Sequence, residues 1–147
     1  MKKSILLLAV IFSVGVSSAQ KITESEVPAQ VKAKFQSLFH AARDIKWRKQ
    51  KNGSYEAEFK QNTSELGATI DSVGNLKETE KEMKVSELSK SIFNYVAKNY
   101  PDYKITEAAQ ITYADGKPIY EAEITKGKDV FDLLFDGSFK FIKKGHF

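Results

Sequence analysis

The chain is predicted to be an α+β protein of two tandem units. Each unit is a helix followed by about four antiparallel strands, and the two share a curved sheet with both helices on one face. Three observations predict this. Tyr55-Glu56-Ala57-Glu58-Phe59 recurs as Tyr120-Glu121-Ala122-Glu123-Ile124. The flanks recur in the same order: apolar steps of four at Val27, Val31, Phe35 and Phe39 return at Leu88, Ile92, Val96 and Tyr100, and Gly74-Asn75-Leu76-Lys77 returns as Gly137-Ser138-Phe139-Lys140. Within each unit the hydrophobic period then changes from helical to two. The units run from about 22 to 82 and from about 83 to 144.

In the first unit the stripe Val27, Val31, Phe35, Phe39, widened by Leu38 and Ala42, makes an amphipathic helix, and Pro28 suits its first turn, where no N–H is needed. Ile45, Trp47 and Lys49 then alternate with Lys46 and Arg48, and Asn52-Gly53 signals a hairpin. Tyr55, Ala57 and Phe59 alternate with Glu56, Glu58 and Lys60, and short strands are expected at 68–71 and 76–80. In the second unit Ser86 is the expected cap of a helix that Pro101 stops. Strands at 130–135 and 139–142 follow, with turns at Asp115-Gly116 and Asp136-Gly137. Two such units bury a broader core than one helix over one small sheet can.

The first segment reads as an address. Lys2 and Lys3 precede an apolar-to-small run from Ile5 to Val16, and Ser17-Ser18-Ala19 supplies the small residues of a peptidase site. Residues 1–19 are therefore expected to be a signal peptide cut after Ala19, leaving a domain of residues 20–147. The run is shorter than the roughly 20 residues that a membrane span needs, and no span is expected after cleavage. A periplasmic or secreted location follows. With no cysteine in the chain, packing alone must hold an exported fold.

Composition excludes more than it assigns. The absence of cysteine removes thiolate metal sites and cysteine nucleophiles, and the two histidines, His40 and His146, leave little for a histidine-built metal centre. Loss of Lys2 and Lys3 leaves 21 basic against 19 acidic residues, interspersed as in Lys77-Glu78-Thr79-Glu80-Lys81-Glu82. That stretch reads as a solvated charged strand or linker and not as a phosphate-binding stripe, so nucleic acid is not an expected partner.

The order Val27-Pro28, Val31, Phe35, Phe39, Ala42, Ile45, Trp47, Tyr55-Glu56-Ala57-Glu58-Phe59 resembles the PepSY-like, β-lactamase-inhibitor-like family of exported bacterial proteins, and Tyr100-Pro101, Tyr120-Glu121-Ala122-Glu123 and Asp136-Gly137 carry the resemblance into the second copy. It implies tandem α-β units in one curved antiparallel sheet, outside the cytoplasm, with a non-enzymatic binding or inhibitory role. Two positions depart from the pattern. His40 stands where the family usually has proline, and Asp71-Ser72-Val73-Gly74 is a loose form of its Asp-Gly turn. No residue that would bind a β-lactamase carries over.

Candidate chemistry is sparse. Glu56/Glu58 and Glu121/Glu123 are i, i+2 pairs, which share a strand face about 6.5–7 Å apart. Such pairs can act as acid and base or hold Ca²⁺. Their alternation with Tyr55/Ala57 and Tyr120/Ala122 places them on the helix-free face, where solvated charges that deter edge association are expected. His40 is expected at the surface beside the helix end. Trp47, Tyr55 and Tyr120 share the phase of Ile45 and Phe59 and are expected in the core. No phosphate-binding loop, nucleophile elbow or zinc-binding helix motif occurs. No catalytic residue, metal ligand or cofactor is therefore assigned. The expected function is a non-catalytic exported binding module whose open sheet face, through Lys46, Arg48, Glu56, Glu58, Glu121 and Glu123, engages an envelope protein. A periplasmic protein binding a small ligand or ion is the other reading. The run Val130–Phe135, apolar at adjacent positions, must be covered on both sides or present an apolar patch.

Overall fold

The computed structural model describes residues 19–145. The expected leader, up to residue 18, and His146 lie outside the described residues. The described chain folds as β1 (Gln20–Ile22), α1 (Ala29–Leu38), β2 (Arg43–Lys49), β3 (Tyr55–Gln61), β4 (Ser64–Ile70), β5 (Leu76–Met83), α2 (Lys90–Asn99), β6 (Lys104–Tyr113), β7 (Pro118–Lys126), β8 (Asp129–Phe135) and β9 (Phe141–Lys144). All nine strands join one antiparallel sheet in chain order, open at β1 and β9. Consecutive antiparallel strands need only short turns, and the turn residues supply them.

Both helices enter through a 3-10 turn closed by a glutamate. The Thr23 amide donates to Glu26 Oε2 at 2.7 Å, and the Lys84 amide to Glu87 Oε2 at 2.9 Å. Pro28 occupies the N-cap of α1. The α2 cap is Ser89, whose side chain accepts from the Ser91 amide, and not Ser86, which the 3-10 turn over Val85–Glu87 takes up. Along the chain the order of 3-10 turn, helix and strands occurs over residues 24–83 and again over 85–144.

Two apolar clusters lie beneath the helices. Val31 and Phe35 of α1 pack on Trp47, Tyr55, Ala57, Phe59, Ala68 and Ile70. Ile92 and Val96 of α2 pack on Ala108, Ala122, Ile124, Phe131, Leu133 and Phe135. The register puts both clusters on one side. Ala57 pairs with Ala68 and Ala68 with Thr79, whose phase Met83 shares; Met83 pairs with Ala108 of the second cluster. The sheet therefore carries both helices on one face.

Three expectations are corrected. β1 is an additional strand, pairing Ile22 with Trp47, too short and polar to read as one. Ile45 is 40% exposed and outside the core, because the β2–β3 register shifts between Arg43 and Lys46 where Asp44 takes a left-handed φ of 57°. Leu38, expected to widen the stripe of α1, is also exposed. The run at 131–135 is buried on both faces. Phe131, Leu133 and Phe135 meet α2, while Asp132 and Leu134 point the other way, where no helix of the described residues lies.

The turn before β5 is closed by Asp71, whose Oδ1 accepts from the Val73 and Asn75 amides at 3.1 and 2.8 Å. Those bonds, that from the Asn75 backbone foremost, hold its carboxyl down at about 2. Gln30 of α1 donates to the Ser72 carbonyl at 2.9 Å and ties helix to turn. Gly74 there has φ +91°, and a Cβ would sit 3.1 Å from the Gln30 carbonyl oxygen. Gly74→Ala is expected to cost about 1–3 kcal/mol through left-handed strain and that backbone approach. Gly53→Ala, at φ +83° with nothing within 4 Å of the added carbon, is expected to cost less. Urea unfolding of the two variants measures the difference.

Candidate functional site: the helix-free face

Alternation along each strand sends every second side chain away from the helices, and the ladder sorts these into rows. One row runs Arg48, Glu56, Thr69, Glu78, Tyr113 across β2 to β6. The next runs Lys46, Glu58, Gly67, Glu80, Ile111, Ile119 across β2 to β7. A third runs Glu82, Ala109, Glu121, Leu134, Lys143 across β5 to β9. The fourth is Glu107, Glu123, Asp132. The face thus carries a field of carboxylates, with cations at the β2 side and at Lys143.

Its centre is dry. Glu56, Glu80 and Asp132 are 4, 6 and 5% exposed, and Thr69, Ala109, Ile111 and Leu134 are buried with them. No helix among the described residues covers these side chains, which fits a sheet curled towards that face. The charges agree: Glu80 on β5 feels Asp132 on β8, three strands away, which is about 14 Å in a flat sheet. Gly67 lies opposite Glu80, and a Cβ on it would stand 3.5 Å from the Glu80 Cβ.

Burial raises these carboxyls above the usual carboxylate range. Desolvation, then the charges of Glu121, Glu56, Glu78 and Asp132, pushes Glu80 up to about 9. Desolvation, then Glu121, Glu123 and Glu107, raises Asp132 to about 8. Glu121 rises to about 7 through burial and the neighbouring Glu123, Glu107 and Glu78. Glu107 rises to about 7 through burial, Glu123 and Glu82. Glu56 also reaches about 7, from burial and the charge of Glu58, opposed by a bond from Gln50 and by Arg48. Arg48 Nη2 pairs with Glu58 Oε1 at 3.2 Å. Thr106 Oγ1 donates to Glu123 Oε1 at 2.6 Å. Asp132 Oδ1 is buried with no hydrogen-bond partner.

The structure brings five of the six expected site residues to one region of this face: Arg48, Glu56 and Glu58 together, Glu121 and Glu123 beyond β6. Lys46 stands exposed at the β2 margin. The expectation of solvated charge is corrected for Glu56, which is buried, and for Glu58, Glu121 and Glu123, which are half-buried. The reason lies in the neighbouring strands, which single-strand alternation does not report. Sequence reasoning missed Glu78, Glu80 and Asp132. The alternation Glu78, Glu80, Glu82 was visible, and so was one acid inside the apolar run at 130–135; what was not visible is that β5 lies at the middle of the sheet. His40 is exposed, its Nδ1 2.7 Å from the Gln36 carbonyl oxygen. Among the described residues, no three His, Cys, Asp or Glu are grouped so as to hold a metal ion. No described helix is long and apolar enough to cross a membrane.

The comparisons with known proteins agree with this architecture. A model of the family described as "Putative beta-lactamase-inhibitor-like, PepSY-like" matches residues 16–77 and 53–143. A protein of Bacteroides eggerthii, described as a putative periplasmic protein, superposes with a TM-score of 0.72 at 16% identity, over 82% of this chain and 88% of its own. A BLIP-like protein of Bacteroides fragilis superposes with a TM-score of 0.65 at 18% identity, over 81% of this chain and 85% of its own. No curated protein matches the chain.

Proposed function

The chain belongs to the PepSY-like, β-lactamase-inhibitor-like family, and from that premise we propose that it is a non-catalytic exported protein that binds another envelope protein through the helix-free face of its sheet. The observation that carries this reading is a partly desolvated face that no element of the described chain covers, with Glu56, Glu80 and Asp132 buried at its centre. In this reading Lys46 and Arg48 form a cationic margin, and Glu56, Glu58, Glu121 and Glu123 belong to the floor and flank of the binding surface. A stable complex needs about 800 Å² from each partner, an area one face of a nine-stranded sheet supplies. The likeness to periplasmic and BLIP-like proteins supports the location and the binding role. Residues 1–19 act as the leader, and residues 20–147 form one domain of two repeats of a helix-and-strand unit.

Site-specific photo-crosslinking in the native envelope tests the proposal. A photoreactive residue at Glu82, exposed on the helix-free face, is expected to yield a discrete protein adduct. The same probe at Lys98 on α2 is expected to yield none. Equal adducts from both positions, or an adduct only from Lys98, contradict it.

A further inference from the structure

The carboxylates of this face are unevenly answered. On the β2–β3 side, Arg48 pairs with Glu58, and Lys60 lies 3.9 Å from Glu65. On the β5–β8 side, no ion pair joins Glu80, Glu121, Glu123 or Asp132 to any cation among the described residues. Asp132 is the most telling of them. It is 5% exposed, it neighbours Glu123 across the ladder, and its Oδ1 is buried without a hydrogen-bond partner. A buried acceptor left unmade costs free energy comparable to the bond it lacks. Ala109, Ile111 and Leu134 lie between these acids as an apolar floor.

Acids at the walls and hydrocarbon between them match a long cationic side chain, whose methylene stem lies on apolar surface while its head meets carboxylate. A bare divalent ion needs several oxygens converging on one point, and the acids here are not so grouped. We propose that the β5–β8 side of the face receives an arginine or lysine side chain of the partner protein, its cationic head set among Glu80, Glu121 and Asp132. This rests on the reading of the face as a protein-binding surface and names the chemistry of what enters it. Because the head binds the ionised acids, complex formation releases protons, and affinity rises by about tenfold per pH unit for each proton released.

Titration calorimetry with tetra-arginine and tetra-lysine peptides at pH 7 and about 50 mM salt tests this. A 1:1 complex is expected, with release of at least one proton seen as buffer-dependent heat. The triple variant Glu80→Gln, Glu121→Gln, Asp132→Asn is expected to weaken binding at least tenfold. A control with the same three acid-to-amide changes made elsewhere, Glu24→Gln, Glu87→Gln, Asp129→Asn, is expected to change it less than threefold. Equal weakening in both variants, binding without proton release, or no binding of either peptide overturns the inference. Tighter saturation by Ca²⁺ alone, or by spermine, overturns it in favour of an ion or small-cation site. If the peptides fail while the Glu82 adduct persists, the basic side chain is wrong and the binding face stands. Loss of that adduct removes both.

Discussion

Phe35→Ala is expected to lower the unfolding free energy by about 3–5 kcal/mol, the range for deleting a buried aromatic ring from a close-packed core. Phe35 is 2% exposed and joins helix to sheet. Its ring lies edge-on to Trp47 at 5.1 Å and to Phe59 at 4.9 Å, and 5.3 Å from Phe39 on its own helix turn. Aromatic pairs of this geometry add to the area they bury. With no disulfide in the chain, nothing covalent limits the loss. Phe93→Ala on α2 removes a ring that is 38% exposed and is expected to cost about 1 kcal/mol or less. Urea unfolding followed by tryptophan fluorescence measures both, since Trp47 lies in the Phe35 cluster. Equal costs for the two would contradict the assignment of Phe35 to the core.

Glu80→Gln is expected to stabilise the protein at pH 8 by about 2–4 kcal/mol, because each tenfold difference in proton affinity between folded and unfolded chains is worth about 1.4 kcal/mol. At pH 4.5 it is expected to leave stability nearly unchanged. The sign follows from proton linkage. Glu80 stands at about 9 in the folded chain against 4.5 as an ordinary glutamate, so between those values the folded state holds a proton that the unfolded state has released. Stability therefore falls as pH rises through this window. Asp132, at about 8, acts in the same direction. Glu121, Glu56, Glu78 and Asp132 all press on Glu80, whereas Arg48 acts on Glu56. At low pH the opposite set takes over: Asp71, held at about 2 by its turn, loses its bonds as it is protonated. The wild type is thus expected to melt highest near pH 4–5, and the glutamine variant to lose less of its melting temperature than wild type between pH 5 and pH 8, the remainder coming from Asp132, Glu56, Glu107 and Glu121. A variant that melts lower than wild type at pH 8 would show that Glu80 is ionised and paired.

Much of this fold was legible in the order of residues alone. The change from a four-residue step at Val27–Phe39 to alternation at Tyr55–Phe59 marks helix and strand, because each period maps directly onto burial against one neighbour. Turn residues at Asn52-Gly53 and Asp115-Gly116 mark the hairpins for an equally local reason. What escaped was everything set by several strands together. Ile45 kept the right phase along its strand, yet a bulge at Asp44 rotated it outward. Glu56 looked solvated on its own strand, and only the curl of the sheet dries it. Glu80 sat in a stretch of alternating charge that reads as exposed, because no local pattern says that β5 has β4 on one side and β6 on the other. The acids of the candidate site were therefore half visible: their alternation was in the sequence, their burial was not.

The curl also explains why the second face needs no helix. Leu134 and Ile111 are as buried as many residues beneath α1 and α2, and they share that space with carboxyls kept neutral by desolvation. A face of this kind exposes little charge at rest and gains charge when a cation enters, which couples recognition to proton release.

Carboxyl-carbon NMR titration of Glu80 and Asp132 in the free protein tests that claim most directly. Both resonances are expected to remain those of protonated acids at about pH 6 and to shift only above pH 7, as dry acids on the concave side would. Midpoints between about 4 and 5 for both would mean that water reaches them freely, and the face would have no dry centre.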